Sequence, residues 1–331
     1  MKAAVFTRYG GPDVVELAER PDPECGPTEI LVRTLATTVS AADWRIRSLT
    51  VPKGFGPLLR LAFGICQPRK QILGTELAGE VVAVGDQVSR FQPGDRVVAS
   101  AGSQLGCHAE QRVFDQQDAI IPIPGAGALP GSLSTEQAAC MSFGGMTALD
   151  FLLDKGKLQS GERVLVMGAS GAVGSAAVQI ATHYGADVTG VCREANHKLV
   201  LSLGATEAID YTRQNVLDGS QQYDVILDAA GGHAIGDYEQ ALRPGGRVLL
   251  VVADMPTTLS AACRPERKGK RYLCGTSSES LETLQRLAAL VEAGAYTPVI
   301  DRCYAFADIR QAHAYVDTGR KRGNVVVKVS D

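Results

Sequence analysis

Val164-Leu165-Val166-Met167 runs directly into Gly168-Ala169-Ser170-Gly171-Ala172-Val173-Gly174. Ser175 to Tyr184 follows, a stretch of small and apolar residues closed by Gly185. The four apolar residues read as a buried strand, and the stretch after the glycines reads as a helix that Gly185 stops. Spaced glycines at such a turn let the backbone approach a pyrophosphate closely. The helix start then aims free N–H groups and the positive end of its dipole at the charge. A tight turn without a ligand is the competing reading, but the strand before, the helix after and a second strand at 187–191 favour a dinucleotide site. That second strand ends in Cys192-Arg193. An NAD site places an acid about 20 residues beyond the glycines to hold the ribose hydroxyls. Arg193 would instead attract a 2′-phosphate that a carboxylate repels. Glu194 beside it weakens the signal, and a solvated loop arginine is the alternative. NADPH is the expected cofactor.

The same alternation extends outward. A helix at 196–203 ends at Gly204, short strands follow at 208–209 and 225–228, and a strand at 247–252 follows the turn Pro244-Gly245-Gly246. Strands separated by helical stretches of about 10–15 residues indicate βαβ units, so the expected class is α/β with a doubly wound, Rossmann-type parallel sheet. Leu281, Leu284, Leu287, Ala288 and Val291 add a helical stripe ended by Gly294. Upstream, Ser134-Thr135-Glu136-Gln137 is a capping box that opens a helix, and a second helical stretch covers 147–153. The first 125 residues differ in texture, with short strands at 3–6, 29–34, 78–84 and 96–100 set between Gly, Pro and Asp turns. Ile120-Ile121-Pro122-Ile123-Pro124-Gly125, with Gly127, Pro130 and Gly131 beyond, reads as an edge strand and crossing segment. A helix at 309–316 and a strand at 325–329 return to the first texture. The expected division is a β-rich domain at 1–125, completed by about 300–331, and a dinucleotide-binding domain at 126–299.

Length and charge exclude several classes. The 331 residues leave room for two domains, and 45% hydrophobic against 21% charged residues is an ordinary globular balance. Lys plus Arg number 33 and Asp plus Glu 36, so no global field draws the chain to nucleic acid or to a membrane, and neither is an expected partner. Residues 1–8 lack the apolar core of a signal peptide, and the longest uncharged stretch, 164–186, is broken by four glycines; a cytoplasmic protein is expected. The eight cysteines are spread out with no C-x-x-C pair, which argues against a clustered metal and for reduced, mostly buried thiols. His108, His183, His197, His233 and His313 lack ligand spacing and read as non-catalytic. The basic run Arg264, Arg267, Lys268, Lys270 and Arg271 reads as a solvated loop.

Several segments together resemble the medium-chain dehydrogenase/reductase superfamily, in its zinc-free quinone oxidoreductase branch. They are Tyr9-Gly10-Gly11-Pro12, Ala42-Asp43-Trp44-Arg45-Ile46-Arg47-Ser48, Gly74-Thr75-Glu76-Leu77-Ala78-Gly79-Glu80-Val81, Phe91-Gln92-Pro93-Gly94-Asp95-Arg96-Val97, the glycine turn, and 319–327. The resemblance spans almost the whole chain. It implies a GroES-like catalytic domain built from the N-terminal part and the tail, a Rossmann domain between them, a cleft where substrate binds, and a homodimer. Zinc members of the superfamily use Cys, His and a third ligand where this chain has Ser40, Thr75 and Phe143, which is not a zinc ligand set. Without a Lewis acid to hold an alkoxide, an electron-poor acceptor such as a quinone, enone or 2-alkenal suits the chemistry better than a simple ketone.

Carried over residue by residue, the resemblance places Thr147 near the nicotinamide and Ser170, Gly171, Ala172 and Val173 at the pyrophosphate. Tyr211 and Asn196 join Arg193 around the adenosine phosphate, and Ala230 and Gly231 border the adenosine side. Val251, Val252 and Ala253 meet the carboxamide, and Asn324 lies at the same end. Ser40 and Arg45 would face substrate; many members carry Asn and Tyr there, so neither receives a catalytic role. Trp44, the single tryptophan, is either a stacking platform for an aromatic acceptor or a packing residue. The apolar segment 50–68 either caps the substrate pocket or packs in the core. The expected function is NADPH-dependent, zinc-independent hydride transfer to a quinone or an α,β-unsaturated carbonyl compound, with solvent as the simplest proton source. A catalytically weak NADPH-binding protein with an interaction or regulatory role, and a zinc-type alcohol dehydrogenase, are the alternatives.

Overall fold

A computed structural model describes residues 1–125, 133–263 and 265–330. Two compact units result: Met1–Val51, Gly56–Phe143 and Glu279–Asp331 make the first, and Pro52–Phe55 with Gly144–Ser278 make the second.

The second unit is the Rossmann-type α/β unit. Its sheet runs Glu207–Asp210, Asp187–Cys192, Arg163–Met167, Tyr223–Asp228, Leu242–Leu250, Lys270–Cys274, Glu266–Arg267. Every neighbouring pair is parallel except the last. Counted in chain order, the parallel strands lie three, two, one, four, five, six, the order of a dinucleotide-binding doubly wound sheet whose switch point falls between strands one and four. Val164, Leu165, Val166, Val225, Ile226, Leu227, Val248 and Leu249 are all buried, as expected of strands covered on both faces. Register sets Met167 beside Val191 and Asp228, and Asp228 beside Leu250, so the carboxyl ends are flush and their loops leave one edge together. The fifth strand starts at Leu242 rather than 247. Its Pro244-Gly245-Gly246 turn is taken up as a register shift between the Tyr223 and Val225 pairings.

The first unit is the GroES-like β-rich unit. Its sheet runs Ile300–Ala305, Asn324–Lys328, Glu29–Val39, Glu76–Val84, Arg96–Ser100, Ile120–Pro122, with Gln111–Asp115 also paired to Glu29–Val39. The tail strand Asn324–Lys328 is antiparallel to Glu29–Val39. Helix Leu281–Glu292 also belongs here: Leu284, Leu287 and Val291 are buried, and the Tyr296 hydroxyl donates to the Met141 carbonyl at 3.2 Å. The units therefore divide after 143 and after 278, where sequence texture had suggested 125 and 299. The first of these divisions falls inside helix Ser142–Leu149, whose sequence carries no breaker signal except paired glycines. Gly127, Pro130, Gly131 and Arg264 lie outside the described residues.

Segment 50–68 packs in the core only in part. Helix Gly56–Phe63 sets Leu59 and Phe63, four apart, against the cluster of Phe6, Val14, Ile46, Leu73 and Leu105, while Leu58 and Leu61, three apart, stay exposed. The cysteines are all free. Cys107, Cys140 and Cys192 are buried, with burial pushing the Cys107 thiol up to about 12, but Cys66, Cys263 and Cys303 are exposed, a larger share than expected. Among the described residues no helix is long and apolar enough to cross a membrane.

One buried polar cluster has a consequence for stability. His313 is 0% exposed and, among the described residues, neither ring nitrogen has a hydrogen-bond partner. The His108 ring stands 5.4 Å away, edge to face, and the buried Arg47, ion-paired to Asp317, adds positive charge from helix Ala41–Ser48. Burial first, then His108 and Arg47, hold the His313 pKa well below its ordinary value. The folded state keeps the ring neutral, whereas the unfolded chain takes up a proton below about pH 6.5, so stability is intact above that pH and falls as pH drops. The urea midpoint of the wild type is expected to decline from about pH 7 to about pH 5, with a shallower decline in His313→Leu. Equal slopes in the two proteins would rule out His313 as the source.

Candidate functional site

Five loops at the carboxyl edge of the parallel sheet build the candidate site. The first is the glycine turn. Gly168 adopts φ +77°, a left-handed conformation that glycine takes without strain, and the Gly168 and Ala169 N–H groups donate to the Val191 carbonyl at 3.1 and 3.0 Å. Gly171 is the N-cap of helix Ala172–His183 and supplies no side-chain cap. The first-turn N–H groups therefore point outward without an intrahelical acceptor. Gly174 lies so close to the turn that a Cβ there would come within 2.8 Å of Ala169 Cα and nearer still to the Gly168 carbonyl oxygen. A Cβ on Gly144 would come within 2.6 Å of the Ala172 carbonyl oxygen, so helix Ser142–Leu149 abuts the same turn.

The loops after the second and third strands carry a polar group. The Asn196 side-chain amide donates to Ser170 Oγ at 3.1 Å, and Arg193 Nε donates to the Tyr211 hydroxyl at 2.9 Å. Glu194, the residue that weakened the Arg193 signal, pairs with Arg213 instead. Its backbone N–H meets Asp210 Oδ2 at 3.1 Å. Ser170, Arg193, Asn196 and Tyr211, four residues from three separate loops, thus form two hydrogen-bonded pairs.

The loops after the fourth and fifth strands are organised by a residue that sequence reasoning missed. Asp228 is fully buried; one carboxylate oxygen accepts from the Ala230 and Gly231 N–H groups at 2.8 and 2.7 Å, and the other accepts from the Tyr238 hydroxyl at 2.6 Å. Burial and the adjacent Asp228 push the Tyr238 phenol far above its ordinary pKa, so it stays a donor. Val251 N–H donates to the Asp228 carbonyl at 3.0 Å, and a Cβ on Gly231 would come within 2.8 Å of Val252 Cγ1. Ala230, Gly231, Val251, Val252 and Ala253 are thereby brought to one place. Thr147, nearly buried, directs its hydroxyl to Ser277 Oγ at 3.3 Å.

The remaining candidates belong to the GroES-like unit. Ser40 is a helix cap: its hydroxyl donates to Asp43 Oδ2 at 2.6 Å and accepts from the Asp43 N–H at 3.3 Å, while the Ser40 N–H returns to Asp43 Oδ2 at 2.7 Å. Asp43 also holds Gly74 N–H at 2.8 Å, a second role not foreseen from sequence. Trp44 is half-buried and packs against the cluster that includes Val39, Phe306 and Ile309, in line with its packing reading, while part of the ring stays accessible. Arg45 is half-buried with no carboxylate paired to it among the described residues, and burial lowers its pKa. Asn324 gives its amide to the Val299 carbonyl at 3.0 Å. Thr75 Oγ1 is buried without a partner, and the Phe143 N–H donates to Glu76 at 2.8 Å. Glu76, also missed, is buried and accepts from Thr38 Oγ1 at 2.7 Å and Ser142 Oγ at 2.6 Å; burial raises its carboxyl pKa against the pull of these donors.

Comparison with known proteins agrees with this arrangement. Residues 26–143 match the family described as alcohol dehydrogenase GroES-like domain, and residues 203–327 that described as zinc-binding dehydrogenase. The quinone oxidoreductase of Pseudomonas aeruginosa is 31% identical over 98% of this chain and 99% of that protein. The chain belongs to the medium-chain dehydrogenase/reductase superfamily. It falls in the quinone oxidoreductase-like branch, as an oxidoreductase of that type. An NADPH-dependent alkenal/one oxidoreductase of Arabidopsis thaliana, chloroplastic, is 29% identical over 99% of the chain and 79% of that protein. The quinone oxidoreductase of Coxiella burnetii superposes with a TM-score of 0.84 at 27% identity, covering 99% of both chains. At the three positions where zinc members of the superfamily carry ligands, this chain offers a capping hydroxyl, a buried hydroxyl and a phenyl ring. Among the described residues no three His, Cys, Asp or Glu side chains gather into a group able to hold a metal ion.

Proposed function

We propose that the chain is an NADPH-dependent, zinc-independent oxidoreductase acting on quinones or α,β-unsaturated carbonyl compounds. The observation that carries the cofactor choice is the Arg193–Tyr211 pair after the second and third strands, with the neighbouring acids engaged elsewhere, Glu194 by Arg213 and Asp210 by the Glu194 and Thr212 N–H groups. The residues present fit a dinucleotide. The uncapped helix start at Gly171 to Val173 would take the pyrophosphate, with Ser170 held by Asn196. Arg193, Tyr211 and Asn196 would hold the adenosine phosphate. Ala230 and Gly231 would border the adenosine, Val251 to Ala253 would meet the carboxamide, and Thr147 and Asn324 would lie at the nicotinamide end. When bound, the nicotinamide supplies the hydride. Ser40, Thr75 and Phe143 do not fit a zinc ion, because one hydroxyl is committed to Asp43 and the third position has no donor. Two relatives whose names specify a quinone or an alkenal/one substrate support the acceptor class.

Steady-state NADPH oxidation against a panel of quinones and enones tests the proposal. Turnover with at least one of them, undiminished by chelators, is the expected result. Tight NADPH binding without turnover on any acceptor would favour an interaction or regulatory role, and turnover that requires stoichiometric zinc would favour an alcohol dehydrogenase. Arg193→Ala is expected to raise KM for NADPH by about 10- to 100-fold, the value of a charge-assisted phosphate contact, while moving NADH by less than about twofold. An equal effect on both cofactors would remove Arg193 from the phosphate site.

A further inference from the structure

We propose that the exposed face of helix Gly56–Phe63 and the turn after it dock on an anionic lipid surface. Two observations converge on it. The first is apolar exposure: Leu58 is 52%, Leu61 62% and Ile65 59% exposed, while Leu59 and Phe63 on another side of the helix anchor it to the core. A helix of two turns carrying protruding leucines is convex. Such a face fits the fluid boundary between lipid headgroups and acyl chains.

The second is charge. Between Trp44 and Thr75 the sequence has no Asp or Glu; of its six cations Arg47 is buried and paired to Asp317 and Arg45 is half-buried, which leaves Lys53, Arg60, Arg69 and Lys70 exposed. Three of them stand at the C-terminal end of the helix. Arg60 donates from Nη1 to the Ile65 carbonyl at 2.7 Å and lies over the Tyr9 ring. The Arg69 N–H donates to the Phe63 carbonyl at 2.8 Å, so the turn folds back and carries Arg69 and Lys70 to the same end as Ile65. Among the described residues Arg60, Arg69 and Lys70 make no ion pair. Protruding apolar side chains beside unneutralised cations, with no acid nearby in sequence, is the layout of an interfacial segment on anionic headgroups. The formal net charge of -3 pointed away from membranes because it averages this patch with acids elsewhere in the chain.

Co-sedimentation of the full chain with phosphatidylcholine vesicles, with and without roughly 30% phosphatidylserine, tests the proposal. Binding to the anionic vesicles is expected to exceed binding to the neutral ones by about tenfold or more and to weaken as salt is raised. Leu58→Ser/Leu61→Ser is expected to lower it about tenfold. Arg69→Gln/Lys70→Gln should reduce both the binding and its salt dependence. The substituted side chains are exposed, so an unchanged thermal midpoint separates lost docking from lost folding. No binding to anionic vesicles, equal binding to both vesicle types, or wild-type binding by the leucine double variant would each overturn the proposal. Self-association of the wild type that the leucine variant abolishes, without vesicle binding, would overturn it in favour of a second copy of the chain.

Discussion

Gly174→Ala is expected to weaken NADPH binding by about 100-fold, the scale of effect that follows when an ångström-sized displacement misplaces a binding element. The added methyl would meet backbone, with Ala169 Cα 2.8 Å away and the Gly168 carbonyl closer, and backbone cannot swing aside as a side chain does. The helix start must move away from the strand, carrying the N–H groups at Ala172 and Val173 with it. Overpacking of this kind also costs about 1–3 kcal/mol of stability. Gly171→Ala provides the contrast. Its extended backbone, with φ at -81° and ψ at 177°, suits alanine, and a Cβ there meets only the Gly168 carbonyl oxygen at an ordinary 3.4 Å. Its thermal midpoint should match the wild type, and any loss of affinity would then report the close approach of the pyrophosphate itself. Fluorescence titration with NADPH and thermal unfolding of the two variants separate the cases. Wild-type affinity in Gly174→Ala would show that this turn does not hold the cofactor.

The glycine turn was legible in the sequence because strand, turn and helix are contiguous there, and each part confirms the next. Arg193 was legible for the same reason, as the residue ending the next strand. The hydrogen bonds that join Asn196 to Ser170 and Arg193 to Tyr211 were not, since they connect separate loops whose proximity depends on the sheet register. Asp228 escaped notice although its signal is local. An Asp that accepts from N–H groups two and three residues ahead shapes an Asx-type turn, and Asp228-Ala229-Ala230-Gly231 has that form. The resemblance placed Ser40 on the substrate side; its capping box went unread because such a box is usually sought with Glu or Gln at its third position, whereas here Asp43 closes it. Glu76 had no local signal at all: its donors come from Thr38, Ser142 and Phe143, brought together by strand pairing and by a helix far along the chain. Breaker density likewise misdirected the boundary, because a run of Gly and Pro marks where a chain turns and not where its contacts divide.

Arg247→Ala is expected to destabilise the Rossmann-type unit by about 3 kcal/mol, because it removes the buried half of an ion pair and leaves the partly buried Glu162 carboxylate, among the described residues, with only the Gln159 N–H at 2.8 Å. Arg247 is 4% exposed and grips both oxygens of Glu162, at 2.7 and 2.6 Å. It also donates to the Gly156 and Lys157 carbonyls, the latter at 3.1 Å. Three residues on the segment leading into the first strand, with four acceptor oxygens between them, thus depend on one guanidinium of the fifth strand. Lysine cannot reproduce that planar fork, so Arg247→Lys should recover only part of the loss. Burial pushes the Glu162 carboxyl up, but the Arg247 hydrogen bonds, the Gln159 N–H and the Arg247 charge together outweigh it and leave its pKa depressed. The contribution of the pair is therefore present above the ordinary carboxylate range and is lost as pH falls through the depressed folded value. In Arg247→Ala that part of the acid dependence should vanish along with the stability. Arg247→Met/Glu162→Met, which removes both charges and keeps much of the volume, should be markedly less destabilised than Arg247→Ala, since the larger cost is the stranded carboxylate and not the absence of the pair. Urea unfolding of the single and double variants across pH distinguishes these outcomes; a loss below about 1 kcal/mol in Arg247→Ala would show the pair to be no stronger than an exposed one.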